Sequence, residues 1–289
     1  MRQQTVLRLG CMTASTLMCG CGSHRPVSVR VTHQLPSLEA PRPPVAGMHY
    51  IDLMPPDMVA CMPTDISEDG EVVGTCMDAK QTHGFVYKEG VYHVFELPPE
   101  SLAESTSRPG NWNRIYGTRS KQEFGGTWFK FTKMTTGPAE RLRTWKRRQG
   151  VTDAWVNAEN ADGDSVGVIE TGKLDPAKFT GLVDHGFVAH GDQIQAIETP
   201  IANAGSEACG IDAAGDVVGF FGDGEKCGHG FFLSKGKFTI LDDPNAALDG
   251  WSMGTLCHGV NSLGQVTGYY ETAGGTYRGF LLTSQLLDS

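Results

Sequence analysis

The strongest constraint on this chain is an internal repeat, because a unit too small to bury its own apolar face must stack against its copies. Four segments align on a turn glycine. Asp65 to Gly74 reads DISEDGEVVG and is followed by His83-Gly84-Phe85-Val86-Tyr87. Gly210 to Gly219 reads GIDAAGDVVG, followed by His229-Gly230-Phe231-Phe232-Leu233. Gly259 to Gly268 reads GVNSLGQVTG, followed by Arg278-Gly279-Phe280-Leu281-Leu282. A looser copy runs Asn160-Ala161-Asp162-Gly163-Asp164-Ser165-Val166-Gly167, then His185-Gly186-Phe187-Val188. There Glu159 holds the place of an Ile or Val, which implies strain or a local insertion. The turn glycines at 70, 163, 215 and 264 are 93, 52 and 49 residues apart. The first gap is two periods, so a degenerate copy is expected around Arg114-Ile115-Tyr116-Gly117 and Gly126-Thr127-Trp128-Phe129-Lys130-Phe131. The copy number is then five.

Each copy divides into four short β-like runs, labelled a to d. In the fourth copy, Cys209 to Asp212 is strand a, Asp216 to Phe221 strand b, His229 to Ser234 strand c, and Phe238 to Asp242 strand d, ended by Pro244. Gly in the turns and Val, Ile and Phe in the runs are what strands and hairpins require. Four strands per period of about 50 residues is the spacing of a propeller blade. The last copy lacks a strand d, because only Thr283 to Ser289 follow Leu282. Tyr50-Ile51-Asp52-Leu53-Met54-Pro55-Pro56 reads as a strand d with no a, b or c before it. The fold expected over residues 48–289 is therefore all-β. It is a five-bladed β-propeller, closed by pairing of the N-terminal strand with the last blade, which leaves no exposed edge to recruit other chains.

The pattern Gly-Ile/Val-Asn/Asp-x-x-Gly-x-Val-Val/Thr-Gly, then His-Gly-Phe, then an aromatic strand ending near Pro, resembles the HAF repeat of bacterial extracellular proteins. The resemblance covers about residues 48–284; the second and third copies depart from the pattern. It implies an exported, propeller-like architecture and says little about function.

Residues 1–20 carry Arg2 and Arg8, then a modestly apolar stretch from Leu9 to Met18, then Met18-Cys19-Gly20-Cys21. This resembles a bacterial lipoprotein signal, with Cys21 as the lipidated residue. Ordinary secretory cleavage and no export at all are the alternatives. Gly22, where an Asp would favour the inner membrane in such lipoproteins, points to the outer membrane or to secretion. Residues 21–47 contain five prolines and little periodic apolar content, and read as a tether. No run of eighteen apolar residues occurs. The expected partners are a membrane, through the lipid, and a glycan or protein ligand; the domain is expected to be monomeric.

The formal net charge is −9. Between Arg114 and Arg148 ten Lys/Arg stand against two Glu, a local +8, so the remainder carries about −17. A mostly acidic molecule with one basic strip is a poor nucleic-acid binder. The strip Arg141 to Arg148 reads as a solvated outer strand that could meet a polyanion.

The residues that could do chemistry mostly recur with the repeat. His83, His185 and His229 open strand c, with Arg278 in their place in the last copy; recurrence suits a hydrogen bond made in every copy. Asp65, Asp212, Asn261 and, by a shifted alignment, Asn160 close strand a. They suit either the carboxylates of glycosidic cleavage or, better, turns that bond their own backbone. Asp162-Gly163-Asp164 and Asp223-Gly224-Glu225 look like fragments of calcium loops but lack the full ligand set. Paired positions in the first a–b hairpin sum to 137, which puts Cys61 opposite Cys76 as a disulfide. Cys209 with Cys227 is a second candidate bridge, leaving Cys257 over, and a Cys209, Cys227 and Cys257 metal site has no CxxC pair behind it. No metal, cofactor or catalytic residue is assigned. The favoured function is a non-catalytic binding or scaffold module of the cell envelope; the alternative is a carbohydrate-active hydrolase or lyase with its site in the channel.

Overall fold

The computed structural model describes residues 47–97, 101–106, 115–119, 122–124, 151–175, 180–190, 193–200, 205–223, 228–248 and 252–284. Every regular element among them is a strand. The first sheet orders β2 (Ala60–Ile66), β3 (Val72–Met77), β4 (Thr82–Lys88) and β5 (Val91–Glu96). The second has three strands, β6 (Ser101–Thr106), β7 (Ile115–Arg119) and β8 (Gln122–Phe124). The third runs β9 (Val151–Glu159), β10 (Ser165–Asp175), β11 (Thr180–His190) and β12 (Gln193–Ala196). The fourth runs β13 (Ser206–Ile211), β14 (Val217–Gly222), β15 (Gly228–Ser234) and β16 (Lys237–Leu241). The fifth contains β17 (Thr255–Val260), β18 (Val266–Glu271) and β19 (Tyr277–Thr283), with β1 (His49–Leu53) as its fourth strand. All pairings are antiparallel, so the structure is all-β, with four four-stranded sheets and one of three strands. The degenerate copy supplies β7 at Ile115–Arg119, while its expected run at 126–131 lies outside the described residues.

The repeat reappears as a repeated geometry. The turn glycines Gly70, Gly163, Gly215 and Gly264 have φ of +83°, +83°, +82° and +73°, a region that only glycine enters without a steric penalty. Phe85, Phe187, Phe231 and Phe280, the aromatics of the His/Arg-Gly-Phe runs, are each 0 % exposed. Removing one would cost about 3–5 kcal/mol.

Strand a is bulged in every sheet. One residue is skipped where Pro63 pairs with Gly74 and Asp65 with Val73, and equivalent skips fall at residues 104, 157, 209 and 258. The facing residue of strand b is always glycine: 74, 117, 167, 219 or 268. A Cβ on Gly74 or Gly219 would strike a strand-a carbonyl, Met62 O or Glu207 O, and the Phe85 or Phe231 ring of strand c at 2.8 Å. The bulge also corrects the expected register. Pairs sum to 137 from Ala60 to Pro63, so Cys61 does face Cys76, but to 138 at Asp65 and Ile66. The extra residue absorbs the difference.

Three of the contacts between sheets follow one rule. In the third, fourth and fifth sheets the strand-c glycine abuts one position of strand a in the next, whereas Gly84 of the first sheet faces Phe95 of its own sheet. Gly186 meets Ala208 and Gly230 meets the Cys257 Sγ, an added Cβ coming within 3.1 and 2.7 Å. Gly279 of the fifth sheet meets Pro63 of the first in the same way, at 2.6 Å. Strand β1 pairs with β19 from His49 opposite Thr283 to Leu53 opposite Gly279. Leu53 is fully buried in a core shared with Cys61, Phe85 and Leu281. The two ends of the domain are thus joined through side-chain packing and a strand ladder.

Candidate functional site

Three sets of polar residues compete for the role of a site: the a–b turns, the bulge positions, and the side chains around the start of strand c. In the turns, an Asx or Ser side chain stands three residues before the glycine. The Asn160 Oδ1 accepts from the amides of Asp162 and Asp164 at 3.1 and 3.0 Å. The Asp212 Oδ1 accepts from Ala214 and Asp216 at 2.9 and 2.8 Å, and the Asn261 Oδ1 from Leu263 and Gln265 at 3.2 and 3.1 Å. In the first copy the equivalent residue is Ser67, whose Oγ accepts from the Glu71 amide at 2.9 Å. Asp65 lies two residues earlier, and its Oδ1 accepts from the Ile66 amide. Its expected equivalence with Asp212 therefore fails, because spacing to the glycine sets the turn. Asn160 needs no shifted alignment, and there is no insertion at Glu159, whose carboxylate accepts from the Ser165 hydroxyl.

The same side chains also link sheets. The Asn160 Nδ2 donates to the Asp212 carbonyl at 3.0 Å, and the Asn261 Nδ2 to the Ser67 carbonyl at 2.9 Å. Asp212, which is 3 % exposed, has no such donor. Burial pushes its carboxyl up, and Asp216 and Glu68 push the same way against the turn amides. These residues do structural work in the turns and between the sheets.

The bulge position behaves differently. It holds Thr64, Asn157, Cys209 and His258, with Glu104 at that register in the second sheet. Among the described residues of strand a, it is the position where the residue type differs in all five copies. The Asn157 Nδ2 donates to the Glu207 Oε1 and the Ala208 carbonyl, both at 2.9 Å. His258 is buried and stacks on Tyr269, ring centroids 5.1 Å apart. Sequence reading missed this position, since a one-residue bulge leaves the glycine spacing untouched. The signal was present in the strand-b glycine, which makes room for it.

Each strand-c opener has its own partner. The His83 Nε2 lies 3.2 Å from the Asp78 Oδ2, the His185 Nε2 3.1 Å from the Thr171 Oγ1, and the His229 Nδ1 2.9 Å from the Asp242 Oδ2. Arg278 donates to the Asp52 Oδ2 at 3.0 Å. The amides of Gln81 and Lys80, then His83, hold Asp78 down to about 2. Burial lowers His185. The partners do not recur, so these four residues make local pairs and no shared centre.

Next to Arg278 lies a cluster that the sequence reading left out. Asp243 is 1 % exposed; its Oδ1 accepts from the Asn245 amide and side chain, and its Oδ2 has no partner. The Asp242 Oδ1 and the Tyr50 hydroxyl are likewise buried without partners. Burial pushes the Asp243 carboxyl up to about 6, and the Asp52 charge adds to this. Burial also raises the Tyr50 phenol, with Cys257, Asp243 and Asp242 acting in the same direction. It raises the Cys257 thiol, which stays protonated and unreactive.

Cys61 and Cys76 form a disulfide, their Cα atoms 4.1 Å apart. Cys209 is buried at the mid-strand bulge of β13 and does not open the strand; Cys227 lies outside the described residues, as do Cys21 and the strip 141–148. Asp164 of the calcium-like run meets the His190 ring, while Gly224 and Glu225 lie outside the described residues. Among the described residues no three His, Cys, Asp or Glu are grouped to hold a metal, and no helix is long and apolar enough to cross a membrane.

No family model matches the chain, and no curated protein matches it. Among solved structures, one likeness is to a structural-genomics target described as a candidate gluconolactonase, at 14% identity and a TM-score of 0.27, covering 84% of each chain. Another is to the β-propeller domain of the Trilobed protease from Pyrococcus furiosus, described as having an open velcro topology. It is 12% identical with a TM-score of 0.31, covering 80% of this chain and 68% of that one. Likenesses at these scores carry no argument about what this chain does.

Proposed function

We propose that the chain is a lipid-anchored, HAF-type β-propeller of five blades that acts as a non-catalytic binding or scaffold module of the cell envelope. It would be held to the membrane through Cys21 and would offer its repeated surface to a glycan or protein ligand. One observation carries the reading. The recurrent polar side chains, Ser67, Asn160, Asp212 and Asn261, spend their hydrogen bonds on their own turns and on the neighbouring sheet. A scaffold that repeats its polar residues for stacking uses them for shape and leaves its loops for recognition.

Ring closure draws support from the stacking rule. The contact of Gly279 with Pro63 repeats those of Gly186 with Ala208 and Gly230 with Cys257, so the rotation that relates neighbouring sheets continues across the two chain ends. Three of the five steps of such a ring use this contact, and the proposed closure requires the first and second sheets to stack through other residues. A density map with four or six sheets around the axis would refute the count.

A channel hydrolase or lyase is the second reading, favoured by the bulge position, where Thr64, Asn157, Cys209 and His258 differ from sheet to sheet. One screen separates the two. The purified domain is titrated against envelope polysaccharides while both binding and reducing ends are measured. Binding without release supports the scaffold; sustained release that scales with enzyme concentration replaces it with the hydrolase. Palmitate labelling lost in Cys21→Ser, and a monomer mass by light scattering, test the anchor and the oligomeric state.

A further inference from the structure

Strand β1 is the only part of the fifth sheet that comes from the other end of the sequence, and its polar side chains Tyr50 and Asp52 interact electrostatically with one buried carboxyl, that of Asp243. From β1, Asp52 accepts from the Tyr270 hydroxyl at 3.3 Å and from Arg278 at 3.0 Å, bonds that span 218 and 226 residues. Tyr50 packs edge-on against Phe280 at 5.3 Å and lies over the Val218, Leu241 and Cys257 core. Within electrostatic reach of Tyr50 and Asp52 lies Asp243. Its amide is held by the Thr255 Oγ1 of the fifth sheet at 2.9 Å and one carboxyl oxygen by Asn245, while the other oxygen is buried without a donor. The groups around it are Asp242, paired with His229, from the fourth sheet, Cys257 from β17, Tyr270 from β18, Arg278 from β19, and Tyr50 and Asp52 from β1. Two further carboxylates, one guanidinium and two phenols thus surround a carboxyl that is itself buried, while the Arg278–Asp52 pair at its edge remains open to water.

We propose that β1 is a proton-linked clasp, seated on β19 while Asp243 is uncharged and loosened when that carboxyl ionises. The physical reason is that lifting β1 relieves both costs of the charged form. It takes the Tyr50 ring out of the apolar wall, so water reaches Asp243, and it carries the Asp52 charge away. The closed state binds the proton more tightly than the open one, so protonation favours closure, and closure weakens as pH rises through about 6. With an opened carboxyl near its ordinary value of about 3.9, the opening equilibrium rises about tenfold between pH 5 and pH 8.

The experiment is amide hydrogen exchange on the purified chain, corrected for the intrinsic pH dependence of exchange. Protection of Tyr50 to Leu53 is expected to fall about tenfold from pH 5 to pH 8, while Val73 to Cys76 in the first sheet stays unchanged. Asp243→Asn should hold β1 protection high at pH 8 and remove the slope. Asp52→Asn should reduce the slope, and it serves where the first variant does not fold. Equal loss of protection in both segments, or an undiminished slope in whichever variant folds, would overturn the proposal.

Discussion

Asp212→Asn should stabilise this protein, although Asp212 already makes a well-formed turn. The turns form a relay in which a side-chain amide donates to the backbone carbonyl of the next sheet's turn. Asn160 donates to Asp212 and Asn261 donates to Ser67, each near 3 Å, but the step from Asp212 to Asn261 is missing because a carboxylate has no N–H. Asn at 212 keeps the Oδ1 that accepts from Ala214 and Asp216, and adds an Nδ2 that, by the pattern of Asn160 and Asn261, should donate to the Asn261 carbonyl. One added neutral hydrogen bond contributes about 1 kcal/mol. Relief of a buried carboxylate beside Asp216 and Glu68 acts in the same direction at neutral pH. The hydrogen bond alone, about 1 kcal/mol, raises Tm by about 2–4 °C for a domain of this size. The sign with pH follows from the raised carboxyl. Wild type loses stability as pH rises past the ordinary carboxylate value, the variant does not, and so the gain is larger at pH 8 than at pH 4. Urea and thermal unfolding at the two pH values measure it. A variant less stable than wild type at pH 8, or a difference that does not grow with pH, refutes the relay.

Peptide mapping without reductant should recover Cys61 joined to Cys76, and the double Ser variant should lose about 3 kcal/mol, as expected for a closed loop of about 15 residues. Gly219→Ala should cost about 3 kcal/mol in urea unfolding, because its Cβ strikes the Glu207 carbonyl and the Phe231 ring. Gly236→Ala, with open space and a φ of +76°, should cost only about 1 kcal/mol; equal costs would remove the bulge argument. Deletion of residues 1–53 strips Leu53 from the core and bares β19 as an edge, so size-exclusion chromatography should show larger species than the intact chain gives.

The strands were legible because the residues that repeat are the ones that fix geometry. Gly215 sets a turn, Gly219 faces a bulge, Gly230 touches the next sheet and Phe231 fills the core, so one period of sequence spells out one sheet and its contact with the next. The pairing of Tyr50 to Leu53 with the last sheet was legible for the same reason, as a d-type run with no sheet of its own. What stayed hidden was set by single residues or by distant ones. The bulge at Thr64 adds one residue without moving Gly70, so the register near the turn was off by one and Asp65 was taken for the residue that is Ser67. Asp243 read as the end of a strand before Pro244; its environment is made by Tyr50 and Asp52, about 190 residues away in sequence.

The division between repeated and varied positions bears on where selectivity resides. A residue at this contact is held to a compact shape wherever the contact is used, from third to fourth, fourth to fifth and fifth to first sheets. Ala208, Cys257 and Pro63 occupy that contact and are all compact, apolar and buried or nearly so. The residue immediately after each, Cys209, His258 and Thr64, is released from the ladder by the bulge and carries no such constraint. Exchanging His258 for Thr, the residue of the first sheet, should therefore change stability far less than exchanging Gly279, which faces Pro63. A loss of ligand binding in the His258 variant with its unfolding curve unmoved would assign recognition to the bulge ring. A loss of stability as large as that of the Gly279 variant would show instead that the stacking on Tyr269 makes His258 part of the core.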